Sequence, residues 1–99
     1  MRIVAITACP TGIAHTYMAA EALERAGTKL GHQVKVETQG AMGIENALTA
    51  ADIAAADAVI FAVDLPVQRR ERFAGKTRLL EVPVQAAIKN PASLFAQLG

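Results

Sequence analysis

The chain contains one cysteine, Cys9, no tryptophan, one tyrosine and three phenylalanines among its 99 residues. A single cysteine excludes an internal disulfide, and with only two histidines beside it a structural zinc site lacks its ligand set. So few aromatic rings leave little to stack on bases. Ten basic residues against nine acidic ones, a net charge of +1, provide no basic stripe, so no nucleic-acid partner is expected. No apolar run approaches the roughly 18 residues that span a bilayer. Met1-Arg2 opens directly onto an apolar run without a signal-peptide pattern. These absences set the expectation of a cytosolic chain whose link to a membrane runs through a partner.

What is present is apolar residue in short, patterned runs. Hydrophobic residues make up 53% of the chain, with alanine dense between Ala47 and Ala62, a composition suited to helices packed closely on a sheet. Arg2 to Thr7 is a short apolar run bounded by Pro10 and Gly12, the pattern of a strand buried on both faces. Ala19, Ala22, Leu23, Ala26 and Leu30 then recur at helical spacing, predicting a helix from His15 to Leu30 that stops at Gly31. Val34 and Val36 alternate with Gln33, Lys35 and Glu37, predicting a less buried second strand that ends at Gln39-Gly40. Thr49 with Asp52 resembles a capping box opening a short helix to Ala56.

Ala58 to Val63 is a second unbroken apolar run, hence a third strand, stopping at Asp64-Leu65-Pro66. A polar helical turn from Gln68 to Phe73 and a fourth strand from Thr77 to Val82 follow. Pro83 opens a helix to Lys89, and Asn90-Pro91 starts a last one over Leu94, Phe95 and Leu98. Alternating strands and helices imply right-handed βαβ units. The expected fold is a single three-layer α/β domain: a four-stranded parallel sheet of order 2-1-3-4, its two most apolar strands central, with helices on both faces. Ligands of such sheets bind beyond the carboxyl ends of the strands where chain direction reverses, and Cys9 falls there.

The segment from Cys9 to Thr16 joins strand to helix and contains the chain's clearest chemistry. A helix start offers unpaired N–H groups and the positive end of the helix dipole, which favour an anion. Gly12 and the small Ala14 let the backbone approach a tetrahedral anion, while Pro10 stiffens the entry and contributes no N–H. Lowering a thiol from ~8.5 to ~7 takes only ~2 kcal/mol, within reach of several aligned N–H groups. Both a thiolate and a phosphate suit this loop. Low-molecular-weight tyrosine phosphatases carry arginine six positions after such a cysteine, as a bidentate phosphoryl clamp; His15 stands there instead. The loop is thus better suited to holding a thiophosphate than to hydrolysing it quickly.

The continuous segment from Ala8 to Leu23 (ACPTGIAHTYMAAEAL) resembles the phosphorylation site of fructose-type enzyme IIB, the B component of the bacterial phosphoenolpyruvate-dependent sugar phosphotransferase system. The resemblance continues through Val36-Glu37-Thr38-Gln39-Gly40, Gly43, Leu48-Thr49, Asp52-Ile53, Asp64, Arg72-Phe73 and Gly75-Lys76. It implies a IIB domain over residues 1–90, with 91–99 a C-terminal helix or the start of a linker. It further implies that Cys9 accepts a phosphoryl group from phosphohistidine on enzyme IIA and passes it to a sugar bound by membrane enzyme IIC. For the fructose class the product is fructose 1-phosphate. No metal or organic cofactor is implied, and the isolated domain is expected to be monomeric, at the inner face of the membrane through enzyme IIC.

On that reading Pro10, Thr11, Gly12, Ile13, Ala14, His15 and Thr16 form the phosphate loop, and His15 adds electrostatic support or merely occupies the first helical turn. The Thr11 and Thr16 hydroxyls either bind phosphate or cap the helix. Gln39, Gly40, Gly43, Asp64, Arg69 and Arg70 are candidates for the partner surface, with Arg72 as a further cation of the same run. Turn chemistry and a solvated charged face are the plainer readings of these residues. Two alternatives stay open: a regulatory or auxiliary IIB-like domain, and a tyrosine-phosphatase-like hydrolase using the same cysteine.

Overall fold

The computed structural model describes residues 1–10 and 14–98 of the chain. Strand β1 (Arg2–Ala8) is buried from Ile3 onward, as an apolar run covered on both faces must be. It lies parallel between β2 (Gln33–Gly40) and β4 (Ala58–Val63), and β5 (Leu79–Val82) adds in parallel outside β4. Outside β2 lies β3 (Gly43–Glu45), which pairs antiparallel with Thr38 opposite Glu45, Gln39 opposite Ile44 and Gly40 opposite Gly43.

The sheet therefore has five strands in the order β3-β2-β1-β4-β5, not four, and it is mixed rather than wholly parallel. The four parallel strands keep the expected relative order. The additional strand escapes periodicity because it is three residues long with one apolar side chain, Ile44. Its turn is set by Gly43 at φ 90°, where a glycine meets no Cβ penalty.

Helix α1 (Ala14–Lys29) crosses one face beside α3 (Val84–Lys89) and α4 (Pro91–Gln97). It buries Thr16, Ala19, Ala20, Leu23 and Gly27. Gly27 is a site of close approach: a Cβ there would lie 2.2 Å from Val34 Cγ2 and 3.0 Å from Phe95 Cζ. The helix ends in a Schellman motif, with the His32 N–H on Gly27 O (2.8 Å), the Gly31 N–H on Thr28 O (3.0 Å) and Gly31 at φ 86°. Leu94, Phe95 and Leu98 pack into the same core as Ile3, Ala5 and Leu23.

The opposite face carries the smaller helix α2 (Ala50–Ala55) and a 3-10 turn over Arg70–Phe73, which close a second core around Val4, Ile6, Val59, Phe61 and Phe73. The capping box of α2 is complete: Thr49 Oγ1 accepts the Asp52 N–H (3.0 Å) and Asp52 Oδ2 accepts the Thr49 N–H (2.9 Å). Layers on both faces agree with the expected architecture. Among the described residues no helix is long and apolar enough to cross a membrane.

Candidate functional site

Cys9 immediately follows β1, is 7% exposed, and belongs to the core beneath α1. From β1 the chain passes through α1 to β2 on one side, and the later strand β4 lies on the other, so Cys9 sits at the point where strand order reverses. Pro10, Ala14 and His15 are exposed. Thr11, Gly12 and Ile13 lie outside the described residues, so the cradle expected of their N–H groups does too.

The first turn of α1 is tied to β1 by Thr7 Oγ1, which donates to Thr16 O at 3.0 Å in the interior. Thr16 is itself fully buried, and its Oγ1 has no hydrogen-bond partner among the described residues. A buried hydroxyl without a partner is uncommon in a folded protein and asks for a reason. Here it stands two residues into α1, the helix that follows Cys9 in the chain.

Asp64 follows β4, and its own N–H bonds Ala8 O at 2.9 Å, next to Cys9. Its Oδ1 accepts the N–H of Val84, the first residue of α3, at 3.2 Å. The N-cap of α3 is Pro83, which makes no side-chain cap, so Asp64 supplies that function from a distant position. The residue is exposed but structurally engaged.

Gln39, expected on the docking surface, is 4% exposed, which removes its side chain from contact with a partner. Its Nε2 donates to Glu37 Oε2 (2.7 Å) and Gln68 O (3.1 Å), while its Oε1 accepts the Gln68 N–H (2.8 Å). Gly40 is half-buried and Gly43 exposed on the β2–β3 turn. Tyr17 on α1 donates a hydrogen bond to Glu45 on β3, joining the helix start to that hairpin. The bond to Glu45 raises the Tyr17 pKa above its ordinary value.

The arginine run divides. Arg69 is exposed in the left-handed region at φ 59°. Arg70 is exposed, pairs with Glu81 at 2.9 Å and lies over the Phe61 ring at 5.0 Å. Arg72 serves neither as solvated charge nor as an available partner contact. Its Nη1 and Nη2 each bond Glu37 at 2.9 Å, and it also donates to Arg69 O and Leu48 O.

Glu37 corrects the expectation of a lightly buried β2: its side chain has no exposure, and Val36 to Gln39 are all buried. Burial pushes its carboxyl up, but bonds from Arg72, Gln39 and the Leu48 N–H outweigh that and hold it below the ordinary carboxylate range. The Arg72 pKa is raised chiefly by the same hydrogen bonds to Glu37. Period-2 alternation assigns Glu37 to the solvent side because nothing local shows a guanidinium arriving from residue 72.

The family model described as the PTS system Lactose/Cellobiose specific IIB subunit matches residues 4–97. The chain is 52% identical over 97 residues to the PTS system fructose-like EIIB component 2 of Escherichia coli (strain K12), covering 98% of this chain and 91% of that protein. It is 54% identical over 94 residues to the fructose-specific EIIABC component of Bacillus subtilis (strain 168), covering 95% of this chain but only 14% of that longer protein. A solved domain of the fructose-specific IIABC component of Borrelia burgdorferi superposes with a TM-score of 0.92 at 46% identity, over 98% of this chain and 91% of that one. The family description and these relatives name different sugars and agree on the component. With its only cysteine at the switch point of such a sheet, the chain belongs to the IIB family of PTS phosphotransferase components, on its fructose-like branch.

Proposed function

We propose that Cys9 is the phosphoryl acceptor and donor of this IIB domain. The thiolate attacks the phosphorus of a phosphohistidine on enzyme IIA; the S–P bond forms, the N–P bond breaks, and the histidine nitrogen leaves with its electron pair. A sugar hydroxyl held by membrane enzyme IIC then attacks the same phosphorus. The O–P bond forms, the S–P bond breaks, and the hydroxyl proton passes to a base on the acceptor side. The cysteine returns as thiolate. Such transfers rest on alignment and charge stabilisation, with little covalent help from other groups.

The observation that carries this reading is the position of the only cysteine, directly after central strand β1 and ahead of α1 at Ala14. In this reading the N–H groups of residues 11–16 cradle the phosphate, the Thr16 hydroxyl gains a partner that it lacks among the described residues, and exposed His15 stands at the rim. The A and C components joined to B in the Bacillus relative support enzymes IIA and IIC as partners, at the cytoplasmic face of the membrane. Fructose is the sugar favoured by the relatives' names, with fructose 1-phosphate as product.

The test is to incubate the protein with phosphoenolpyruvate, the general phosphotransferase proteins and fructose-class enzyme IIA, reading the product by intact mass and phosphorus NMR. The wild type is expected to gain one phosphate with a thiophosphate signature, and Cys9→Ser none while remaining folded. Labelling of Cys9→Ser through enzyme IIA overturns the mechanism.

A further inference from the structure

Residues 64–68 form a strap without regular structure of its own, running from the end of β4 to the side chain of Gln39 on β2. At its start the Asp64 N–H bonds Ala8 O (2.9 Å), and at its end the Gln68 backbone is bonded twice by the Gln39 amide, at 2.8 and 3.1 Å. In the sheet β1 lies between these two anchors: Ala8 pairs with Val63, and Gln39 follows the Thr7–Thr38 pair. The strap therefore crosses the end of β1 on the face away from α1, where Val67 joins the core of Val4 and Ile6, and its first residue is bonded to Ala8, the residue before Cys9. Val67 is buried below it, while Leu65 is 40% exposed above.

Gln39 is suited to this hold by its chemistry. Two donors and an acceptor on one amide allow it to take the Gln68 N–H while giving bonds to Gln68 O and Glu37. Arg72 reinforces the far end by donating to Arg69 O at 2.9 Å. A segment anchored by side chains in place of a ladder opens readily once those anchors are lost.

We infer that Gln39 is a positioning residue for phosphoryl transfer at Cys9, holding the 64–68 strap as the wall against which the phosphohistidine-bearing donor docks. This rests on the reading of Cys9 as phosphoryl acceptor. Gln39 touches no reacting atom; it acts by keeping the strap ordered before the donor arrives, so that docking does not bear that ordering cost.

The experiment measures transfer from phosphorylated enzyme IIA to wild type and to Gln39→Met, with Gln68 amide exchange followed by NMR. Gln39→Met is expected to speed Gln68 exchange and raise KM for the donor about tenfold, equivalent to about 1.4 kcal/mol, with kcat within about twofold. An unchanged KM, or a loss confined to kcat, overturns the inference. Should Gln39→Met not fold, Leu65→Ala, which alters only the exposed side of the strap, decides it on the same KM readout, and wild-type KM there overturns it. A wild type that accepts no phosphate in the same assay overturns the Cys9 reading on which the inference rests, whereas a wild type that accepts phosphate beside variants of unchanged KM overturns the inference alone.

Discussion

The guanidinium of Arg72 meets the fully buried carboxylate of Glu37 through two hydrogen bonds of 2.9 Å, across 35 positions of sequence. The bidentate geometry suits arginine's planar fork, and the Gln39 and Leu48 bonds satisfy the remaining carboxylate capacity. One ion pair thus ties β2 to the turn that follows the strap, on the face opposite α1.

Breaking the pair from one side leaves an uncompensated charge. Arg72→Met is expected to destabilise the fold by about 3 kcal/mol, the lower end of the range for such losses because two bonds to Glu37 survive. Replacing both residues by methionine should recover most of that loss, since the buried charge disappears with its partner. Urea unfolding of the single and double variants decides the matter; a single variant as stable as wild type refutes the clamp.

Acid should weaken the protein through Asp52 in a defined window. Its carboxyl is lowered from 3.8 to about 2, first by the hydrogen bond from Lys35 (2.7 Å) and then by the bonds from Thr49. A carboxyl that titrates lower in the folded than in the unfolded chain contributes stability above its unfolded value, lost as pH falls through the folded one. Denaturant unfolding between pH 7 and 2 should show stability falling below about pH 4, with Asp52→Asn flattening that part of the profile. A parallel profile for Asp52→Asn would show that Asp52 contributes nothing to acid sensitivity.

Gly27→Ala should destabilise despite alanine's better helix propensity. The added Cβ, 2.2 Å from Val34 Cγ2, meets a β-branched side chain with little rotamer freedom. Overpacking of this kind costs ~1–3 kcal/mol, against about 1 kcal/mol gained in propensity. Thermal unfolding should place Gly27→Ala below wild type, and Val34→Ala in the same chain should reverse much of the difference by making room.

Thr16→Val separates a structural hydroxyl from a phosphate-binding one. The buried Oγ1 has no partner among the described residues, so removing it should leave stability unchanged or raise it by about 1 kcal/mol. If the hydroxyl binds the transferred phosphate, the same substitution slows acceptance from enzyme IIA. A stable variant with wild-type transfer kinetics would remove Thr16 from the phosphate site.

The parts legible in the amino-acid order are those whose cause lies within a few residues. Unbroken apolar runs identify β1 and β4 as central strands, and Gly31 and His32 end α1 through bonds to residues three and five positions back, respectively. The capping box of α2 closes over three residues. Cys9 is prominent in the same way, because it directly follows the end of β1 and precedes the start of α1 by five positions.

Relations between distant positions come from the folded arrangement alone. Glu37 and Gln39 read locally as the polar side and the exposed end of an alternating strand; burial follows only once Arg72 and Gln68 reach them, 35 and 29 positions on. Strand β3 exists because β2 presents an edge for three residues to pair with, which no periodicity announces. Asp64 likewise finds its role at a helix 20 positions ahead. Local hydrophobic pattern and turn chemistry determine the elements and the place of the cysteine, whereas the partners of buried polar groups depend on which segments the completed fold brings together.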